Sequence, residues 1–395
     1  MLLVCALANG LLIGSSAGAR PAGITMAVSA PPESQLAQLA GMTTISIDTG
    51  DLSVIEEFAS TGLITDATTN PLFVAQAGTS GDPRYIAFVD KAIAYAEERR
   101  GKRPPGATGL LRGLFGGGAA PVAGDEEVLE LAMDRLAVEL GLEIVNLVPG
   151  YVSTEVDIRA SFDTKESLRR ARRIIAMYEA AGVPRSRVLI KLAGTWEGIK
   201  ACEELEKEGI TCNITLIFGF IQAVAAAQAG ARLISPFPGR IKDWHSANGG
   251  EATYPPEADP GVVCVSRMYE YYKKHGHEGT ICMPASWRPS RGTSDPKFIL
   301  DEPSALAGVD RMTLPPPMLE MLAATRAPLP RNLAPETAAA SCKDDAVAGG
   351  AIGESEFRLA MNADVCATTK LAEGINAFVA ETLKLEAALK AKMSA

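Results

Sequence analysis

Lys191 stands in the run VLIKLAG between Ile190 and Leu192, with no evident route for its amine to snorkel to water. A lysine held dry in this way keeps some neutral amine near neutral pH and can attack a carbonyl carbon. The competing reading is a lysine at a strand end that pairs with a carboxylate. Two carboxylates offer the amine an acid–base pair. Asp48 ends TTISID, and Glu155 lies inside VSTEV, where a charged side chain is a poor strand residue. Forming and hydrolysing an imine needs a proton delivered to a carbinolamine, and breaking a carbon–carbon bond needs one removed from a hydroxyl. Two carboxyl groups in different surroundings can divide that work. Asp48, in DTGD, also fits a turn former or a helix N-cap. Thr215 in CNITLI is a further candidate, although threonine is an ordinary strand residue. Asn70, Asn213, Ser235 and Ser286 add hydrogen-bonding groups, and Arg240 and Arg288 follow the two serines. A guanidinium suits a phosphate better than an ammonium does, and either arginine also fits a solvated loop position.

These groups need elements that bring them together. Eight short β-branched runs read as strands, at 43–48, 63–68, 151–156, 187–193, 212–217, 231–237, 280–286 and 311–315. Helical segments separate them. Asp163 with Glu166 opens a helix as a capping box that runs to Gly182, and a second helix starts at Thr195 and stops at Gly209. Strand, helix, short turn and strand make the grammar of a parallel sheet, and eight such units predict an α/β fold, a (β/α)₈ TIM barrel. In that fold the strand ends open onto the catalytic face. Burying polar groups there costs several kcal/mol each unless they find partners, so a cluster of them at strand ends marks a pocket.

The barrel is expected over 31–325, interrupted by a flexible Gly/Pro-rich insertion at 100–125. An Ala/Pro-rich linker is expected at 326–350, and 351–395 as C-terminal helices packed on the barrel through Leu371, Ile375, Phe378, Val379 and Leu383. Residues 1–30, an apolar run followed by small residues, read as a targeting presequence or a disordered tail. The hydrophobic fraction of 47% suffices for a full core. A net charge of −9 argues against a nucleic-acid partner, which requires a basic face, and no stretch suggests a membrane span. The seven cysteines are scattered and without a CxxC pair, and the three histidines are too few and misplaced for zinc, so no metal site is expected. His275 and His277 read as a surface turn. No phosphate-cradling GxxxxGK[ST], GxSxG or strand-borne GxGxxG occurs.

The segments DTGD, DATTNP, STEVD, IKLAGTWEGI, ITCNITLIF, LISPFPGRIKDW and DPGVVCVS, in this order, closely resemble the transaldolase family from about residue 42 to the C-terminus. The resemblance implies a Schiff base on Lys191 and acid–base work by Asp48 at the carbon–carbon bond. It implies that Glu155 acts through a water held with Thr215, that Asn70 and Asn213 hold donor hydroxyls, and that Ser235, Arg240, Ser286 and Arg288 hold phosphate. The implied reaction moves a dihydroxyacetone unit from fructose 6-phosphate or sedoheptulose 7-phosphate to an aldose phosphate, as in the non-oxidative pentose phosphate pathway. No cofactor is implied, sugar phosphates are the partners, and a homodimer is compatible with it. The rival within the resemblance is a fructose 6-phosphate aldolase, a lyase, in which an amide stands near the position of Glu155 and a tyrosine near Phe237. A non-catalytic sugar-phosphate-binding barrel is the other alternative. The presequence leads to the expectation of an organelle, a plastid first, with the cytoplasm as alternative.

Overall fold

The computed structural model describes residues 30–100, 124–345 and 350–394. The expected presequence and most of the 100–125 insertion lie outside the described residues. Eight parallel strands form the predicted barrel: β1 (Thr44–Asp48), β2 (Ile64–Thr68), β3 (Val152–Glu155), β4 (Val188–Ala193), β5 (Cys212–Ile217), β6 (Leu233–Pro236), β7 (Ile281–Cys282) and β8 (Arg311–Leu314). They pair in sequence order, with β8 returning beside β1. Six-residue β4 and β5 are buried along their whole length, as central strands covered on both faces must be.

Closure between β7 and β8 is thin. The Thr313 N–H donates to the Pro284 carbonyl at 3.2 Å, and the Asp310 carboxylate accepts the Cys282 N–H at 3.0 Å. The reason lies in the sequence of strand seven, expected over 280–286. Pro284 has no N–H to give towards β8 and Ser286 takes a left-handed conformation (φ 62°), while bonds to β6 continue from the Met283 and Ala285 N–H groups, both at 2.9 Å.

The helices start where side chains cap them. Asp163 accepts the Glu166 N–H, and Thr195 accepts the Gly198 N–H. The stretch read as a linker is partly ordered structure: Pro335–Ser341 is helical, and Leu329, Leu333, Ala338 and Cys342 are buried. The two C-terminal helices are Glu354–Ala363 and Val365–Met393. The buried face of the longer one runs through Leu371, Ile375, Phe378, Thr382, Leu385 and Leu389. Leu383, expected on that face, is half exposed, because helical spacing from Phe378 selects 382 and 385 instead. Gly374 brings this helix onto the end of β5. A Cβ there would stand 2.8 Å from a Leu216 methyl and 3.6 Å from the Arg240 guanidinium. Among the described residues no helix is long and apolar enough to cross a membrane.

Candidate active site

The register of three neighbouring strands makes the centre of the site. Glu155 on β3 lies beside Lys191 on β4, which lies beside Asn213 on β5. The Lys191 Nζ is 3.0 Å from Glu155 Oε2, with both side chains almost wholly buried (7% and 4% exposed), and it donates to the Thr69 carbonyl at 2.9 Å. Lys191 is therefore paired with a carboxyl, as one of its two sequence readings expected, and the pair lies inside a buried pocket. Desolvation pushes the Glu155 carboxyl above its ordinary range, against the pull of the Lys191 charge. Moving the ammonium proton to Glu155 leaves a neutral amine beside a neutral acid, which relieves two buried charges together.

Asp48 closes the pocket from β1. Its carboxyl accepts the Thr68 hydroxyl at 2.7 Å, and that hydroxyl also meets the Thr313 hydroxyl at 2.8 Å. Asp48 is not an N-cap. The following helix, Leu52–Ala59, is capped by Asp51. Desolvation raises Asp48 above the ordinary aspartate value, opposed by the Thr68 bond and the Lys191 charge. The Thr215 hydroxyl is buried and accepts or donates no hydrogen bond within the protein, nor does Glu155 Oε1 accept one. β5 is distorted just beyond Thr215. Leu216 is left-handed (φ 55°) and the pairing with β6 shifts between Ile214 and Ile217.

The remaining candidates divide. Asn213 is fixed by neighbours, accepting the Ser235 hydroxyl at 2.9 Å and reaching Ser153 Oγ at 3.4 Å. Asn70 caps the helix Pro71–Thr79 by accepting the Phe73 N–H at 3.2 Å, so it has structural work of its own. Arg240 donates to Ser286 Oγ at 3.3 Å and lies over the Phe237 ring at 5.1 Å. Burial and the nearby Arg288 charge push the Arg240 guanidinium down to about 10. Arg288 is held by Asp243 at 2.9 Å. Two neighbouring guanidinium groups, one of them buried, make a place where a dianion is favoured. Sequence reasoning missed Thr69, whose carbonyl anchors the lysine, and Thr68, whose hydroxyl anchors Asp48. Their only sequence signal is adjacency to Asn70.

The cysteines are less scattered in space than in sequence. Cys202, Glu206 and Cys212 bring ligand atoms within 4.8 Å of one another at the start of β5, away from the lysine. Glu206 Oε1 already accepts the Cys212 and Arg232 N–H groups there. The six described cysteines are free. His275 and His277 are half-buried rather than a loose surface turn, packing against Tyr271.

A (β/α)₈ barrel with a buried lysine, two carboxyls of raised affinity for protons and a paired-arginine anion site has the build of an imine-forming enzyme. Residues 45–389 match the transaldolase/fructose-6-phosphate aldolase family, and the chain belongs to that family. A transaldolase of Marinobacter nauticus is 46% identical over 353 residues, covering 89% of this chain and 96% of its own length. One of a Marinomonas species is 46% identical over 359 residues, covering 91% and 99%. Transaldolase A of Pasteurella multocida is 41% identical over 358 residues, covering 91% and 99%.

Proposed function

We propose that this enzyme is a transferase that moves a dihydroxyacetone unit between sugar phosphates through a Schiff base on Lys191. The observation that carries the reading is the buried Lys191–Glu155 pair, 3.0 Å apart, with Asp48 on the neighbouring side of the pocket. The neutral amine attacks the carbonyl carbon of a ketose phosphate. Glu155, with Thr215 and a water between them, supplies the proton that lets the carbinolamine lose its hydroxyl as water. Asp48 then takes the proton of the hydroxyl on the carbon that will leave. The carbon–carbon electron pair flows into the protonated imine, and the aldose departs. The three-carbon enamine stays on Lys191 until a second aldose phosphate reverses the steps. Asn70 and Asn213 hold donor hydroxyls, and Ser235, Arg240, Ser286 and Arg288 hold the phosphate.

The pattern at two positions supports a transferase over a lyase. Position 155 carries a carboxyl able to shuttle a proton, and position 237 carries a phenylalanine packed edge-on against Phe218 at 5.6 Å, with no phenol to donate. Borohydride added with fructose 6-phosphate should fix a three-carbon unit to Lys191, and an unmodified Lys191 peptide would overturn the mechanism. Rapid release of dihydroxyacetone without acceptor aldose would instead establish the lyase. For location, the composition of residues 1–30 supports delivery to an organelle, a plastid first. A fusion of residues 1–40 to a fluorescent protein that stays cytosolic would refute it.

A further inference from the structure

Behind the arginine turn lies a layer of buried polar groups that the reaction does not use. Glu302, in the short helix Asp301–Ala305, has no solvent exposure. Its Oε2 accepts the backbone N–H of Arg288 at 2.6 Å, and its Oε1 has no partner in the protein. Asp259, equally buried, caps the helix Pro260–Lys274 with one oxygen, and the buried Ser290 hydroxyl lies beside its carboxyl. Lys242, also buried, donates to the Ala252 carbonyl at 3.4 Å, and its charge acts on both Asp259 and Glu302. Four buried polar side chains are an expensive way to fill a core that leucine or methionine could fill.

What Glu302 touches explains its retention. The peptide 286–288 starts at a left-handed serine, a conformation that costs on the order of 1–3 kcal/mol and persists only where its surroundings enforce it. Three contacts enforce it. On one side Gly239 packs so close that an added Cβ would meet the Ser286 carbonyl at 2.5 Å and the Arg288 nitrogen at 2.7 Å. From β8 the Thr313 carbonyl accepts the Trp287 indole N–H at 2.7 Å. On the far side, Glu302 accepts the Arg288 N–H. Burial, reinforced by the Asp259 charge, pushes the Glu302 carboxyl well above the usual carboxylate range, and in either protonation state its Oε2 can accept the Arg288 N–H.

We propose that Glu302 is a positioning residue for phosphate. By fixing the Arg288 amide it holds the turn 286–288 so that the Ser286 hydroxyl, with Arg240 donating to it, and the Arg288 guanidinium converge on one phosphate monoester. This rests on the phosphate site of the proposed function and adds the residue that sets its geometry.

The test uses the full chain and reads half-saturation of borohydride-trapped adduct with fructose 6-phosphate and with unphosphorylated fructose. Wild type half-saturates at far lower fructose 6-phosphate than fructose. Glu302→Met keeps the volume and removes the acceptor. It raises half-saturation for fructose 6-phosphate about tenfold, while fructose and the maximal trapping rate stay within about twofold. Inorganic phosphate loses potency as an inhibitor by the same factor. Glu302→Gln, which still offers an oxygen to the Arg288 amide, restores wild-type values. Should Glu302→Met fail to fold, Glu302→Asp withdraws the carboxyl by one methylene and gives the same readout. If wild type does not distinguish the two ketoses, the phosphate site itself is wrong. If wild type distinguishes them and the variant shifts both or neither, the role of Glu302 is overturned and the phosphate site stands.

Discussion

The two ends of the barrel handle buried charge in opposite ways. At the N-terminal end Asp66, Arg187, Lys273, Asp310 and Arg311 are all answered. Asp66 accepts the Tyr151 N–H at 2.7 Å and pairs with Arg311, which lies 5.1 Å over the Tyr151 ring. Arg187 donates to the Gly150, Val145 and Val148 carbonyls, and Asp310 joins Lys273 to the Cys282 amide. At the C-terminal end the Thr215 hydroxyl and a Glu155 oxygen go without protein partners, two non-glycine residues are left-handed, and an arginine is driven down to about 10. A fold under selection for stability alone would treat both ends alike. The unanswered atoms of Glu155 and Thr215 lie where a substrate would complete the bonding, and the answered pairs at the other end hold the scaffold.

That contrast can be broken by substitution. The largest effect is expected at Lys191→Met, which removes the amine and fills its space. Transfer should fall by at least about a thousandfold with little loss of stability. Asp48→Asn should lower kcat by about 10²–10⁴. It should still yield the borohydride-trapped adduct, because imine formation precedes its step; loss of trapping would move Asp48 to an earlier one. At the other end Asp66→Ala should cost about 1–3 kcal/mol in urea unfolding, since it strands the half-buried Arg311 and the Tyr151 N–H, and leave kcat of the folded enzyme unchanged. A kcat effect there would dissolve the division between the ends. Thr215→Val should leave stability level, having removed a hydroxyl that had no partner, while kcat drops about tenfold through the misplaced water.

The smallest effect concerns pH. In the folded chain Glu302 holds its proton to a higher pH than in the unfolded chain, where the ordinary glutamate value is 4.5. Stability therefore falls as pH rises from about 4.5 to the folded value, and the loss is complete above it. Glu302→Gln removes this contribution, so its Tm should decline less than that of wild type as pH rises above about 5. Parallel Tm curves would show that Glu302 ionises no differently in the folded chain.

Much of the site was legible because its members sit on recognisable strands. Lys191 and Glu155 are conspicuous where a strand should be apolar, and their burial follows from that pattern. Asp66 is equally conspicuous in ITDAT, yet its partner Arg311 lies at the far end of the chain, and nothing local announces the pair. Glu302, in DEPSA, belongs to no strand. Its acidic type reads as helix surface until the fold places it under Arg288. The shortened β7 was hidden for a different reason: the run 280–286 keeps its bonds to β6, but Pro284 offers no donor to β8 and Ser286 turns away in a left-handed conformation.

The sequence by itself determined the alternation of strands and helices, the caps that start the helices, and which residue types could carry imine chemistry. Each of these depends on neighbours a few residues away. Only the tertiary structure decided that Glu155 faces Lys191, that the Thr69 carbonyl anchors the amine, and that Glu302 lies beneath the arginine turn. Those choices depend on barrel register and on packing between residues tens to hundreds of positions apart, where local propensity carries no information.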